Sequence, residues 1–131
     1  MSAAAERRLL QFLCALAAFI PLTFGTMGVL RGAEWLARAH VTPDLDSHFR
    51  YLSGLFLMLG IGFGSCIRGI EGKGPRFRLL AAMVVMGGLA RALSLAQVGP
   101  PSTGHLVGLG MELAVVPLLV LWQARVARRF T

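Results

Sequence analysis

Hydrophobic residues along this chain gather into four long runs, not into strand-like alternation or heptad stripes. The runs cover residues 9–30, 51–67, 79–98 and 105–122, with short polar segments between them. Gln11 is the only strongly polar side chain of the first run. Each run approaches the ~20 residues that a helix needs to cross the hydrocarbon core of a membrane. The second run is the shortest, and its helix can begin earlier, near Ser47, with Asp46 or Ser47 as N-cap. Pro21 and Pro117 lie inside the first and fourth runs and predict kinks there. The connections at 68–78 and 99–104 are short, so the runs they join must be antiparallel. The pattern predicts an all-α integral membrane protein, an up-down-up-down four-helix bundle formed by one domain over residues 1–131.

The connection at 31–50 is longer. Its residues 33–38 are helix-compatible and mildly amphipathic, fit to extend the first span or to lie along the interface, and Thr42, Pro43 and Asp44 read as a turn. Gly60 with Gly64, and Gly104 with Gly108, place small residues four apart, a spacing that lets helix backbones approach closely in lipid.

Composition agrees with the runs. Of 131 residues 56% are hydrophobic and 15% charged, with mean hydropathy +0.69. Soluble domains lie nearer about 45–50% apolar and about 25% charged. The net charge of +7 is unevenly placed. Arg7, Arg8, Arg68, Lys73, Arg76, Arg78, Arg125, Arg128 and Arg129 share one side, against Arg31, Arg38 and Arg50 on the other. The positive-inside rule puts both termini in the cytoplasm. Glu34, Asp44 and Asp46 neutralise the outer side, so the net charge meets anionic lipid headgroups on the inner side. Membrane lipids are therefore expected partners. Nucleic acid is not, because no basic soluble face or aromatic stacking set accompanies the charge. Trp35 and Tyr51 suit the outer interface and Trp122 the inner one. Arg7 and Arg8 ahead of an apolar run resemble a signal peptide, but no convincing cleavage site follows, and a retained first span is expected. Cys14 and Cys66 form no CxxC pair and read as buried reduced thiols.

Two charges interrupt the runs: Arg91 in the third and Glu112 in the fourth. A charge near the bilayer centre costs about 2.5–3.5 kcal/mol on insertion scales, so such groups pair and mark function. Counting at the helical rise, Arg91 lies roughly 10 Å and Glu112 roughly 12 Å below the same outer surface. Matched depth on consecutive antiparallel spans predicts an Arg91–Glu112 contact. Gly87, Arg91, Ser94 and Val98 share one helical face, as do His105, Gly108 and Glu112. Glu34, Asp46, His48 and Arg50 lie at the same outer level, Arg50 being the one of the last three that points inward. These residues outline an outward-facing polar pocket narrowing to Arg91 and Glu112. The plainer alternatives stand beside it. Arg91–Glu112 is a register-fixing ion pair, Asp46 a helix cap, His48 and His105 interfacial polar contacts, and Glu34 a solvated loop residue. The histidines and carboxylates have no metal-ligand spacing, and no cofactor or metal is expected.

Three blocks, DSHFRYLSGLFLMLG at 46–60, GGLARALSLAQVGPP at 87–101 and MELAVVPLLVLWQ at 111–123, together resemble the bacterial domain-of-unknown-function family 4345. That family's characteristic acidic, arginine and glutamate positions correspond here to Asp46, Arg50, Arg91 and Glu112. The resemblance implies a small four-span protein of the bacterial inner membrane and no known activity. A looser similarity to DoxX-like four-span proteins is an analogy of fold alone.

Three functions fit these residues. The first is a binding or accessory subunit, alone, as a homo-oligomer or in a larger membrane complex, holding a lipid, quinone, isoprenoid, other apolar small molecule or small anion, with Arg50 and Arg91 supplying positive charge and Glu112 orienting Arg91. The second is an intramembrane acid–base enzyme of the isomerase or cyclase type, with Glu112 or Asp46 as the catalytic group. The third is a small dimeric exporter, which the lack of an acidic residue in run 9–30 disfavours.

Overall fold

The computed structural model describes residues 1–37 and 39–131. Arg38, an outer-side cation of the sequence reading and the end of its helix-compatible stretch, lies outside the described residues. The fold is all-α, with no strand among the described residues. Four helices are long and apolar enough to cross a membrane: α1, Ala3–Arg31; α2, Pro43–Ile67; α3, Gly74–Val98; and α4, Thr103–Arg128. Short 3₁₀ turns at Ala33–Trp35 and Ile70–Gly72 lie between α1 and α2 and between α2 and α3.

Every helix outruns its apolar stretch, continuing into the polar residues that flank it. The start of α2 differs most from expectation. The N-cap is Thr42, not Asp46 or Ser47: its carbonyl accepts from the Asp46 N–H at 3.0 Å and its hydroxyl from the Leu45 N–H at 3.3 Å. Pro43 then opens the helix, where its missing N–H costs nothing. Pro75 does the same for α3, which stops at Gly99 (φ 113°), followed by Pro100 and Pro101.

Pro21 leaves α1 a continuous helix. Pro117 has a larger effect on α4. In a regular helix its ring would collide with the Leu113 carbonyl. Here the preceding turn, Met111–Val115, widens to π geometry, and the Val116 N–H reaches back to the Met111 carbonyl.

The chain divides into two compact units, one of Met1–Gln11 with Arg68–Thr131 and one of Phe12–Ile67. In the latter, α1 and α2 pair antiparallel. Gly25 packs so closely that a β-carbon would stand 2.6 Å from the Leu57 nitrogen, and at Gly60 one would stand 2.9 Å from Leu22 Cγ. Gly28 meets Ser53 in the same way. Cys14 and Cys66 are buried free thiols of this unit. In the other unit, α3 and α4 pair antiparallel over a core that includes Leu10, Ile70, Phe77, Leu119 and Val126. Its close approach is Gly88, where a β-carbon would lie 2.8 Å from Leu113 Cδ2 and 2.9 Å from Glu112 Cβ.

The small-residue expectation is therefore only partly met. Gly60 is a contact position, but Gly64, Gly104 and Gly108 face nothing within 4 Å. The glycines that set helix spacing are those that face the neighbouring helix, and spacing four apart does not identify them.

Candidate functional site

Gly88 lets the α3 backbone approach the wide turn of α4, and this brings two charges together. Arg91, about one turn beyond Gly88, places Nε 3.1 Å from Glu112 Oε1. Glu112 sits within the π turn. Its side chain is 13% exposed against 41% for Arg91. The second carboxylate oxygen, Oε2, is buried with no hydrogen-bond partner. His105, in the first turn of α4, completes the group, with Arg91 Nη1 2.8 Å from its Nδ1.

Beside this group is an open recess of about 240 Å³, lined by Arg91, Ser94, Leu95, Pro101, His105 and Leu109. Three polar groups, Arg91, Ser94 and His105, sit at the rim of a mainly apolar wall. Arg91, Ser94, His105 and Glu112 of the sequence reading thus belong to one neighbourhood. Gly87, placed with Arg91 in that reading, is exposed and faces nothing within 4 Å, and Gly88 occupies the contact position.

The other sequence candidates belong to the unit of α1 and α2 and do a different job. α1 ends at Arg31 and the chain turns at Gly32, whose φ of 70° is the left-handed conformation glycine tolerates. Asp46 Oδ1 accepts the Ala33 N–H at 2.8 Å and its Oδ2 accepts Arg50 Nε at 2.7 Å. Arg50 Nη1 donates to the Val29 carbonyl at 2.6 Å and the Leu30 carbonyl at 3.3 Å. Arg50 thus satisfies carbonyls that the end of α1 leaves without helical partners. Both Asp46 oxygens are engaged, so Asp46 is a clamp on this corner. Arg50, expected to point inward to a pocket, is turned to the α1 terminus because bare carbonyls there are its nearest acceptors. Glu34 is exposed and lines an open recess of about 280 Å³ with Arg31, Val41, Thr42, Pro43, Asp46 and Arg50. His48 is exposed on α2.

A further polar cluster went unread in the sequence. Glu6, 4% exposed, accepts the Trp122 indole N–H at 3.1 Å and pairs with Arg125 at 3.0 Å and with Arg129. Arg7 pairs with Glu71 at 3.1 Å and lies 4.8 Å from the Phe130 ring centroid. Gln123, fully buried, donates to the Ile70 carbonyl at 2.8 Å. These residues tie the start of α1 to the end of α4. The signal was present: Trp122, Arg125 and Arg129 recur at helical spacing and so share a face. Trp122, expected in an interfacial belt, donates its indole N–H to Glu6.

Among the described residues, no group of three or more His, Cys, Asp or Glu side chains could hold a metal ion. Four long apolar helices with paired charges between them define a small multi-pass membrane protein. The model of the family described as Domain of unknown function (DUF4345) matches residues 9–123, and the chain belongs to that family. No curated protein and no solved structure matches it.

Proposed function

We propose that the chain is a single-domain, four-span protein of the bacterial inner membrane, with its helices running up-down-up-down and both termini cytoplasmic. We propose further that it is a binding or accessory subunit, holding a lipid, isoprenoid or other small amphiphile in the recess beside Arg91. The observation that carries this reading is the joining of Arg91 and His105 to an apolar wall of Leu95, Pro101 and Leu109. Pro101 belongs to the 99–104 turn, which carries no basic residue, and the positive-inside rule assigns that turn to the outer side. The recess then faces outward.

The acid–base reading rests on Glu112 alone, since Asp46 has both oxygens engaged. The unpartnered Glu112 Oε2 favours it. Against it, the recess is walled by Arg91 and not by Glu112. Binding is the better supported of the two.

The test is extraction of the protein from its native membrane directly into nanodiscs, followed by mass analysis of retained amphiphiles. Wild-type protein should retain one amphiphile class about tenfold above the surrounding membrane. Arg91→Leu, and the Arg91→Leu/Glu112→Leu variant that leaves no unpaired charge, should lose it while keeping their helical content. Equal retention in all three proteins would remove the recess as the binding site.

A further inference from the structure

We infer that the head group received beside Arg91 is a neutral, carbonyl-type hydrogen-bond acceptor on an apolar body, and not a carboxylate or phosphate. This rests on the amphiphile reading above and narrows it to a ligand class.

Arginine only donates hydrogen bonds, so the 2.8 Å contact of Arg91 Nη1 makes His105 Nδ1 the acceptor. The ring proton is then on Nε2, and His105 is neutral. The Arg91 charge is matched by Glu112 at 3.1 Å. The three residues together carry no net charge.

The cluster still has hydrogen bonds to give. A guanidinium carries five N–H donors, and Glu112 and His105 engage only part of them. The His105 Nε2–H and the Ser94 hydroxyl are further donors, and Arg91, His105 and Ser94 all line the recess. A donor-rich rim calls for an acceptor-rich head.

Charge then selects among acceptors. An anionic head would bring an uncompensated negative charge to a neutral cluster that already contains Glu112 and its unpartnered oxygen. In a medium of low dielectric constant such a charge is strongly disfavoured. Balance would return only if His105 took up a proton at Nδ1. That proton would turn the acceptor into a donor facing Arg91 and set two cations side by side. A ketone, ester or comparable neutral carbonyl accepts the same hydrogen bonds without this penalty. The volume, about 240 Å³, holds the head and the first carbons of the body. Pockets that enclose a whole drug-sized ligand span about 300–1,000 Å³. The rest of the body therefore lies outside the recess.

Three probes of equal chain length test the inference on the wild-type protein in nanodiscs of zwitterionic lipid near neutral pH: a long-chain methyl ketone, the matching fatty carboxylate and the matching alkane. Calorimetric titration reads affinity, and nitrogen NMR of labelled histidine reads the His105 tautomer. The ketone should bind at least about tenfold more tightly than either other probe, with His105 remaining neutral and protonated on Nε2. His105→Phe, which removes one of the donors, should narrow the ketone's advantage over the alkane. Carboxylate binding equal to or tighter than the ketone's, with His105 becoming imidazolium, would overturn the head-group assignment and leave the amphiphile site standing. If neither polar probe exceeds the alkane, the site itself fails. The three-probe comparison needs no variant, so it decides even if His105→Phe does not fold.

Discussion

Arg50, a candidate site residue in the sequence, makes architectural contacts in the structure. It holds Asp46 and two carbonyls at the end of α1, so its removal leaves several polar groups without partners at once. Hydrogen bonds to charged groups contribute about 1.5–3 kcal/mol, and exposure reduces this. Arg50→Ala should therefore destabilise the protein by about 1–2 kcal/mol. Denaturant titration of the protein in lipid would measure it, and an unchanged midpoint would show that the corner is held by something else. Glu6 is the stronger case. Its carboxylate is buried while Arg125 and Arg129 reach solvent, so the bonds it accepts, and not a stranded buried charge, set the cost of its loss, at about 1.5–3 kcal/mol. Glu6→Gln keeps an acceptor for the Trp122 indole but removes the charge. It should lose about 2 kcal/mol, more than neutralising the exposed Glu34. A loss no larger than that of Glu34→Gln would make the cluster superficial.

At the scale of the helices, position relative to a bulky partner decides what a glycine does. Gly87 and Gly88 are neighbours in sequence and opposites in packing: one faces open space and the other Leu113 and Glu112. Gly88→Ala should push α3 away from α4 and weaken the Arg91–Glu112 pair. Gly87→Ala should be neutral or stabilising by up to about 1 kcal/mol, because alanine is the better helix former. Thermal unfolding of the two variants in nanodiscs compares them directly, and equal effects would contradict the helix packing described above. Pro117 acts on the same pair from the other helix. Pro117→Ala restores an N–H and removes the ring that forbids a regular turn. The π turn at Met111–Val115 should close, rotating Glu112 relative to the rest of α4. Arg91–Glu112 coupling, measured by a double-mutant cycle, should fall from at least about 0.5 kcal/mol toward zero. Sequence reasoning reaches the proline but not its consequence. A proline announces a defect in the helix, and packing determines whether that defect becomes a kink or a widened turn.

For the molecule as a whole, what could be read in advance was what depends on continuous stretches of chain. The apolar runs locate four helices because burial in lipid needs unbroken hydrophobicity, and the depth count aligns Arg91 with Glu112 because rise per residue is constant. The Glu6 cluster was hidden because its partners lie at the far end of the chain, and a single sequence carries no record of that pairing. The structure also changes what the charge count means. Arg125 and Arg129 are engaged by Glu6, and Arg7 by Glu71, so three of the nine cations that the proposed topology places inside are paired once the chain has folded. Orientation is set while the helices insert, when those pairs have yet to form. The proposed topology therefore depends on all nine inner-side cations, including those that later pair. Reporter fusions separate the two stages. A reporter active only in the cytoplasm should work at the C-terminus, and one active only outside should work in the 99–104 turn. Replacing Arg68, Lys73, Arg76 and Arg78 with glutamine leaves the Glu6 pairs untouched but removes the charge bias around the α2–α3 connection. That variant should give mixed orientations with both reporters partly active. A C-terminal reporter active only outside in the wild type would reverse the topology. A uniform orientation in the variant would mean that the two ends of the chain set it without the central segment.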